Sequence, residues 1–184
     1  YEAGQRIFGE NKIQEMTDKW EQLPKDIEWH MVGHVQRNKV KYMAPYVSLI
    51  HAVDSLKLLK EINKRAKQNE RTIHCLLQIK IAEEDSKFGI SRDEAREILE
   101  SEAYQKMKHA RIVGLMGMAT FTDNEAQVRQ EFERLQHIAA DFQKDFPELT
   151  EISMGMSGDY HIALECGTTM VRIGSSIFGE RNYN

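Results

Sequence analysis

Short apolar runs alternate with amphipathic segments along the whole chain of 184 residues. The runs are apolar on both faces, as in Val47–Val53, which is typical of parallel strands covered by helices. They predict strands near Arg6–Gly9, Glu28–Gly33, Ser48–Val53, Ile73–Ile81, Arg111–Ala119, Glu151–Gly155 and Met170–Gly174. The segments between them predict helices near Asn11–Gln22, Arg37–Ala44, Ser55–Lys67, Ser91–Glu100, Asn124–Asp145 and Asp159–Glu165. This alternation predicts an α/β fold.

Two consecutive strand-to-helix turns near the end of the chain are rich in Gly and Ser. The first is Gly155–Asp159 and the second is Gly174–Ser176. Glycine allows close approach of the backbone, serine hydroxyls donate hydrogen bonds, and a helix opening at Ser175 directs free N–H groups at an anion. In (β/α)8 barrels the phosphate site usually follows strands seven and eight. The turns therefore predict a (β/α)8 TIM-type barrel that binds phosphate where Ser157, Gly174 and Ser175 converge.

The seven predicted strands are one fewer than a closed barrel of this type requires. Tyr1–Gly4 resembles the tail of a helix, with Gly4 as its C-terminal stop. A helix tail needs a helix and a strand before it, so we expect that a first β/α unit is absent from this sequence. Residues 1–184 would then be a single, N-terminally incomplete barrel domain. Its structure should show either a gap at the place of the first strand or another chain filling it.

Composition narrows the class of protein. A formal charge of −4 and a pI near 6.0 give no overall field for nucleic acid or an anionic membrane surface. The one basic cluster, Arg37–Lys41, reads equally well as a solvated helix start. Cys75 and Cys166 lie far apart without a CxxC motif, which argues against a disulfide framework or a zinc ribbon. With no membrane-length apolar run and no signal-peptide pattern, we expect a soluble cytoplasmic protein.

Six sequence motifs then occur in a fixed order over essentially the whole chain. They are Phe8–Asn11 with Gln14–Glu15, Glu28–Lys39, Ser86–Gly89, Gly114–Met116, Ser153–Asp159 and Val171–Gly174. Together they resemble the pyridoxal phosphate homeostasis proteins (the YggS/PROSC family). The resemblance implies a barrel like the N-terminal barrel of alanine racemase, with pyridoxal 5′-phosphate (PLP) carried on a lysine of the first strand. The sequence has no residue at the matching place for this Schiff-base lysine.

The resemblance also implies which residues bind PLP. Backbone groups around Gly174 and Ser175, together with Ser157 and Met156, would bind the phosphate. Other pocket positions, beside the ring, would be taken by the side chains of Asn11 and His30.

Arg172 would face the pyridine nitrogen in a member of this family. A guanidinium there would lower the pKa of that nitrogen and weaken the ring as an electron sink. Two plainer interpretations remain open. Arg172 also suits a barrel-end arginine paired with Glu10 or Glu28, and Gly155 and Gly174 also suit tight turns without a ligand.

Histidine and lysine residues raise further alternatives. The i, i+4 spacing of His30 and His34 would suit zinc on a helix, but Gly33 between them indicates a strand end, which argues against a metal site. Lys80 and Lys87 are candidate substitutes for the Schiff-base lysine. We favour a loop position for Lys87, and Lys80 would point either outward or into the barrel.

The sequence is compatible with three classes of function. We favour a non-enzymatic carrier that binds PLP and acts in its homeostasis, with PLP-dependent apo-enzymes as candidate recipients. An amino-acid racemase is the second, but the resemblance to alanine racemase implies a second base from a C-terminal domain for which this sequence shows no counterpart. The third is a barrel enzyme that acts on a phosphorylated metabolite through the same two turns.

Overall fold

Seven parallel strands form one sheet whose spatial order follows the sequence. The structure, a computed structural model, describes residues 1–83 and 88–180. The strands are β1 (Ile7–Glu10), β2 (Glu28–Met31), β3 (Val47–Val53), β4 (Ile73–Gln78), β5 (Ala110–Met116), β6 (Glu151–Met156) and β7 (Met170–Arg172). The sheet curves into a nearly closed barrel of the TIM type. All seven predicted strands are confirmed, with boundaries within three residues of those expected.

Helices follow the strands in alternation. They are α1 (Ile13–Gln22), α2 (Val40–Met43) after a 3-10 turn at Arg37–Lys39, α3 (Leu56–Gln68), α4 (Arg92–Glu100), α5 (Glu102–Gln105), α6 (Glu125–Gln143), α7 (Tyr160–Glu165) and α8 (Ser175–Phe178). The six predicted helices are confirmed. The prediction lacked α5, because four residues are too few to show a helical period. Within the described part of the chain, no helix has both the length and the apolar character needed to cross a membrane.

The barrel is open between its first and last strands. Across residues 1–83 and 88–180, β1 pairs with β2 and β7 pairs with β6, but β1 and β7 are not bonded to each other. The expected gap is therefore present. Residues 1–4 form a turn, in which the Gly4 N–H donates to the Tyr1 carbonyl, and not the helix end that the sequence predicted. Gly4 does have the positive φ of a stop residue, at 98°.

Most of the apolar core lies between the outer face of the sheet and the helices. Helix α6 shows how the sequence builds this layer. Its N-cap is Asn124, whose side chain accepts a hydrogen bond from the Gln127 N–H. Apolar residues at helical spacing, among them Phe132, Leu135 and Phe142, are then fully buried. Each such side chain contributes about 1.5–3 kcal/mol by leaving water.

The inner face of the sheet has a smaller apolar cluster. Leu49, Leu76 and Met116 meet inside the barrel, with half-buried neighbours such as Met170. The carboxyl-end half of the interior carries polar side chains instead, including two histidines and a serine. The polar part of the interior lies next to the two Gly/Ser turns.

Candidate functional site

The turns after β6 and β7 meet through one serine hydroxyl. Ser157 Oγ accepts hydrogen bonds from the backbone N–H groups of Gly174, at 3.2 Å, and Ser176, at 3.3 Å. Ser175 lies between these two donors and begins α8. The structure thus brings together Ser157, Gly174 and Ser175, as the sequence predicted, and two backbone donors converge on a point now filled by an oxygen atom.

The two glycines of these turns have different roles. Gly155 has φ +97°, and a Cβ there would lie 2.6 Å from the Cβ of Ala163 on α7, so backbone and packing both require glycine. Gly174 has φ −122°, and a Cβ there would meet no atom of the described residues within 4 Å. The turn-only interpretation is therefore sufficient for Gly155. At Gly174 the adjoining space is open, which leaves room for a ligand beside the backbone.

The turn after β6 is fixed by a carboxylate. The Met156 N–H donates to Asp159 Oδ1 at 2.6 Å, which closes the turn immediately before α7. Met156 ends β6 and pairs in register with Arg172 on β7. Strand pairing therefore fixes the position of Arg172 along the barrel axis relative to both turns.

Arg172 extends into the barrel interior. Its Nη1 donates to Ser153 Oγ at 2.6 Å and its Nη2 donates to the Gly117 carbonyl at 3.0 Å. Its Nε is buried and has no hydrogen-bond partner among residues 1–83 and 88–180. Burial lowers the pKa of the guanidinium to about 10, opposed by the nearby Asp159 carboxylate. Arg172 is therefore charged at neutral pH, and its Nε–H is a donor that no described residue uses.

The predicted alternative pairing of Arg172 with Glu10 or Glu28 does not match these hydrogen bonds. Glu10 pairs with Lys19 on α1. The Arg172 guanidinium is held by a hydroxyl and a carbonyl, which are neutral acceptors, and no carboxylate of the described residues contacts it directly. A cation in this setting favours an electron-rich or anionic ligand atom.

Two histidines continue the polar group beyond Ser153. His51 Nδ1 lies 2.8 Å from Ser153 Oγ, and His51 Nε2 lies 3.1 Å from His30 Nδ1. His51 is 1% exposed and Ser153 is fully buried. Burial lowers the pKa of His30 to about 4, and it lowers that of His51, helped by the charges of His30 and Arg172. Both imidazoles are therefore neutral at physiological pH.

His51 and Ser153 were not predicted as site residues. The only sequence signal was a histidine within the otherwise apolar run of β3 and a serine at the inward position of β6. These two residues stand 102 positions apart in the chain, so no local pattern connects them. His30 was predicted to line the pocket, and the structure places it in the barrel interior beside His51.

Asn11 lies on the other side of the barrel opening. It is exposed in the turn between β1 and α1. A Cβ at Gly33 would lie 2.2 Å from the Asn11 carbonyl, so the turns after β1 and β2 approach each other closely. The structure does not bring Asn11 into hydrogen bonding with the Ser157 turn in residues 1–83 and 88–180.

The other residues considered for metal or cofactor binding are His34, Lys80 and Lys87. His34 Nδ1 lies 3.5 Å from Asp54 Oδ2 and its ring stacks on Phe88, so it does not share a partner with His30. No group of three potential ligands from His, Cys, Asp and Glu is found in the described part of the chain. Lys80 is exposed, and Lys87 lies outside the described residues.

A buried carboxylate on α6 supports the loop that holds Arg172. Glu131 is 1% exposed, and it accepts hydrogen bonds from the Thr120 N–H at 2.6 Å and from the Thr120 hydroxyl at 2.7 Å. It also accepts from the Glu83 N–H at 3.1 Å. Thr120 is three residues after Gly117, whose carbonyl accepts from Arg172. The outer helix thus fixes the loops after β4 and β5 beside the site.

Comparison with known proteins connects this site to a family. The family model described as alanine racemase, N-terminal domain, matches residues 1–182. A pyridoxal phosphate homeostasis protein from Aquifex aeolicus is 37% identical over 185 residues, which cover all of this chain and 80% of that protein. The chain belongs to the pyridoxal phosphate homeostasis protein family. A protein of the same name from Helicobacter pylori is also 37% identical, with 98% of this chain and 80% of that protein covered.

Solved structures agree with this family membership. PipY of Synechococcus elongatus, determined without PLP, has a TM-score of 0.90 and 34% identity, covering 97% of this chain and 84% of PipY. PipY with PLP bound has a TM-score of 0.85 at 33% identity, with the same coverage. An alanine racemase from Clostridium difficile has a TM-score of 0.77 at 13% identity, over all of this chain and 47% of the racemase, and so shares the fold.

Proposed function

We propose that residues 1–184 form one PLP-binding barrel domain that acts in intracellular PLP homeostasis. The name of the relatives and the PLP bound to PipY support this function. The observation in this chain that carries it is the pairing of the Ser157–Gly174 turn cluster with the unused Arg172 donor. One part suits a phosphate and the other suits a ring atom that accepts a hydrogen bond.

The residues present fit PLP. A phosphate needs several donors, and the turns supply the Gly174 and Ser176 N–H groups, which point at the Ser157 oxygen, and the Ser157 hydroxyl itself, which would turn toward the phosphate. The open space beside Gly174 gives access to it. Arg172 Nε is a buried donor without a partner, and such a group costs about 1–3 kcal/mol until an acceptor reaches it. A ligand that accepts a hydrogen bond there would remove this cost.

Each residue has a distinct task in this proposal. The backbone around Gly174 and Ser175, with Ser157 and Met156, would bind the phosphate. Arg172 would hold its positive charge beside the pyridine nitrogen and so oppose protonation of that nitrogen. Asn11 and His30 would line the pocket. Bound PLP would supply an electrophilic aldehyde and a conjugated ring.

Arg172 also argues for a carrier over a racemase. Because its charge would keep the ring nitrogen unprotonated, the residues of this site would do little to stabilise a carbanion. PLP-dependent apo-enzymes would then be the recipients of the cofactor. We expect L-alanine incubated with the protein and PLP to racemise at the rate of PLP alone, measured by chiral chromatography. Turnover far above that rate, lost in Arg172→Ala, would contradict the carrier proposal.

PLP binding is tested directly by equilibrium dialysis with PLP, pyridoxal and inorganic phosphate. We expect PLP to bind more tightly than pyridoxal, because pyridoxal has no phosphate for the turn cluster. Ser175→Asp should weaken PLP binding by about tenfold or more, since a carboxylate would face the phosphate.

The matched control is Ser91→Asp, which adds the same charge at the N-cap of α4, where an acidic side chain also caps well. Its PLP affinity should equal that of the wild type. Equal PLP binding by Ser175→Asp and wild type would overturn the assignment of the phosphate to this turn.

A further inference from the structure

Four side chains inside the barrel form one continuous chain of hydrogen bonds, and its direction is fixed at one end. A guanidinium has donors only, so the Ser153 hydroxyl must accept from Arg172 Nη1 across their 2.6 Å contact. A serine hydroxyl carries a single proton. Among the described residues the Ser153 oxygen contacts Arg172 Nη1 and His51 Nδ1, so its proton finds an acceptor only at His51 Nδ1, 2.8 Å away.

The direction of the serine hydrogen bond also fixes the donors and acceptors of both imidazoles. Because His51 Nδ1 accepts, a neutral His51 carries its proton on Nε2. That proton is donated to His30 Nδ1 at 3.1 Å, so His30 also carries its proton on Nε2. The order of donation is Arg172 to Ser153 to His51 to His30, and one tautomer of each histidine is compatible with it.

Charges around the chain support the neutral state of both histidines. The cation that faces this group is Arg172, and the carboxylate of Asp159, on the turn before α7, raises the pKa of Arg172. A second proton on His51 would place a donor on each side of the Ser153 oxygen and leave the serine proton without an acceptor. It would also add a buried cation beside Arg172.

We propose that Ser153 and His51 are positioning residues that hold the Arg172 guanidinium so that its Nε–H is directed at a bound ligand. Ser153 anchors Nη1 and the Gly117 carbonyl anchors Nη2, and Nε is the one guanidinium nitrogen without an acceptor among the described residues. His51 accepts the serine proton, so that a lone pair of the Ser153 oxygen stays directed at Arg172 Nη1. That this ligand is PLP rests on the proposed function above.

The hydrogen-bond direction is testable without any ligand. Long-range 1H–15N NMR of the unliganded protein at neutral pH distinguishes the two histidine tautomers. We expect His30 and His51 to be neutral and protonated on Nε2, and we expect Ser153→Ala to change the tautomer balance of His51. Exposed His74, replaced in His74→Gln, serves as the assignment control. A proton on Nδ1 of His51 in the wild type would overturn the proposed chain.

The effect on the ligand is tested with PLP and its 1-deaza analogue, in which a C–H group replaces the ring nitrogen. If Arg172 Nε donates to that nitrogen, Ser153→Ala should weaken PLP binding about tenfold and leave the affinity for the analogue nearly unchanged. Ser153→Cys keeps a weak donor and acceptor at the same size, and should fall between wild type and Ser153→Ala. Ser48→Ala on β3, outside the hydrogen-bond chain, should change neither affinity.

The outcomes separate the two proposals. Equal weakening of PLP and analogue by the Ser153 variants would show a general structural role and would overturn the positioning role. A wild-type protein that binds neither compound would overturn the proposed function, and the tautomer measurement would still decide whether the hydrogen-bond chain exists. Where Ser153→Ala fails to fold, the same comparison is made with Ser153→Cys.

Discussion

The two faces of the barrel sheet are filled in different ways. On the outer face, apolar side chains from nearly every strand and helix form one continuous buried layer. On the inner face, a small apolar cluster centred on Leu49, Leu76 and Met116 is followed by a polar group that runs from His30 to Arg172. The outer layer has many interchangeable contacts. The inner group depends on matched donors and acceptors.

This difference indicates how each region should respond to change. Apolar packing tolerates substitutions of similar volume, and its cost depends on the size of the cavity left behind. A buried polar group fails when one partner is removed, because the remaining partners keep their desolvation cost. Substitutions on the outer face should therefore alter stability alone, whereas changes inside the barrel should alter pH dependence and ligand binding.

The largest expected effect is on the outer face. Phe132 is fully buried on α6, and Phe132→Ala should lower the free energy of unfolding by about 3–5 kcal/mol through lost burial and a cavity. Urea denaturation followed by circular dichroism measures this change. Phe121 is 94% exposed, so Phe121→Ala should cost little and is the matched control. A Phe132→Ala loss no larger than that of the control would contradict the assignment of the main core to this layer.

The outer face was also the part best predicted from sequence. The spacing of Leu59, Ile62 and Ala66 and the N-cap Ser55 are local features, and α3 forms as they predicted, with Ser55 accepting from the Leu58 N–H at 3.2 Å. Strand bounds were equally accessible because apolar runs in parallel sheets are continuous. Even the gap in the barrel followed from the count of strands.

Only part of the inner polar group could be predicted from the sequence. The Gly and Ser residues of the turns pointed to Ser157 and Gly174, because each turn is a local motif. The partners of Arg172 were not predicted, since Ser153 and Gly117 are brought to it by strand pairing and loop placement. The sequence offered Glu10 and Glu28 as alternative partners of Arg172. Inside the barrel, strand pairing instead places two neutral acceptors beside its guanidinium.

Mild acid should lower the free energy of unfolding through the buried histidines of the inner face. Burial lowers the pKa of His30 from 6.5 to about 4 and also lowers that of His51, so both stay neutral in the fold while they take up protons in the unfolded chain. The contribution of the two neutral histidines to the free energy of unfolding is therefore fully present above about pH 6.5 and is lost as the pH drops toward 4. His30 alone accounts for about 3 kcal/mol over this range.

Urea denaturation at several pH values between 7 and 4 tests this expectation. The lowered pKa values of Glu131 and Asp141 also reduce stability in acid, but their effect begins near the pKa values of free carboxyl groups, 4.5 and 3.8. His30→Gln should therefore reduce the slope above about pH 4.5, where His51 accounts for the slope that remains, and leave the steeper fall below it. A wild-type stability that is constant from pH 6.5 to 4.5 would show that the buried histidines do not titrate as described.

The smallest expected change in stability is at the edge between the two regions. Ser157 accepts from two backbone N–H groups in long hydrogen bonds at the exposed end of the barrel, so water can replace its hydroxyl in Ser157→Ala. The free energy of unfolding should change by less than about 1 kcal/mol. PLP affinity should nevertheless fall about three- to tenfold, because one phosphate donor is lost. Urea denaturation measures the free energy of unfolding and calorimetric titration measures the PLP affinity, each beside Ser48→Ala, and an unchanged affinity would place the phosphate away from this hydroxyl.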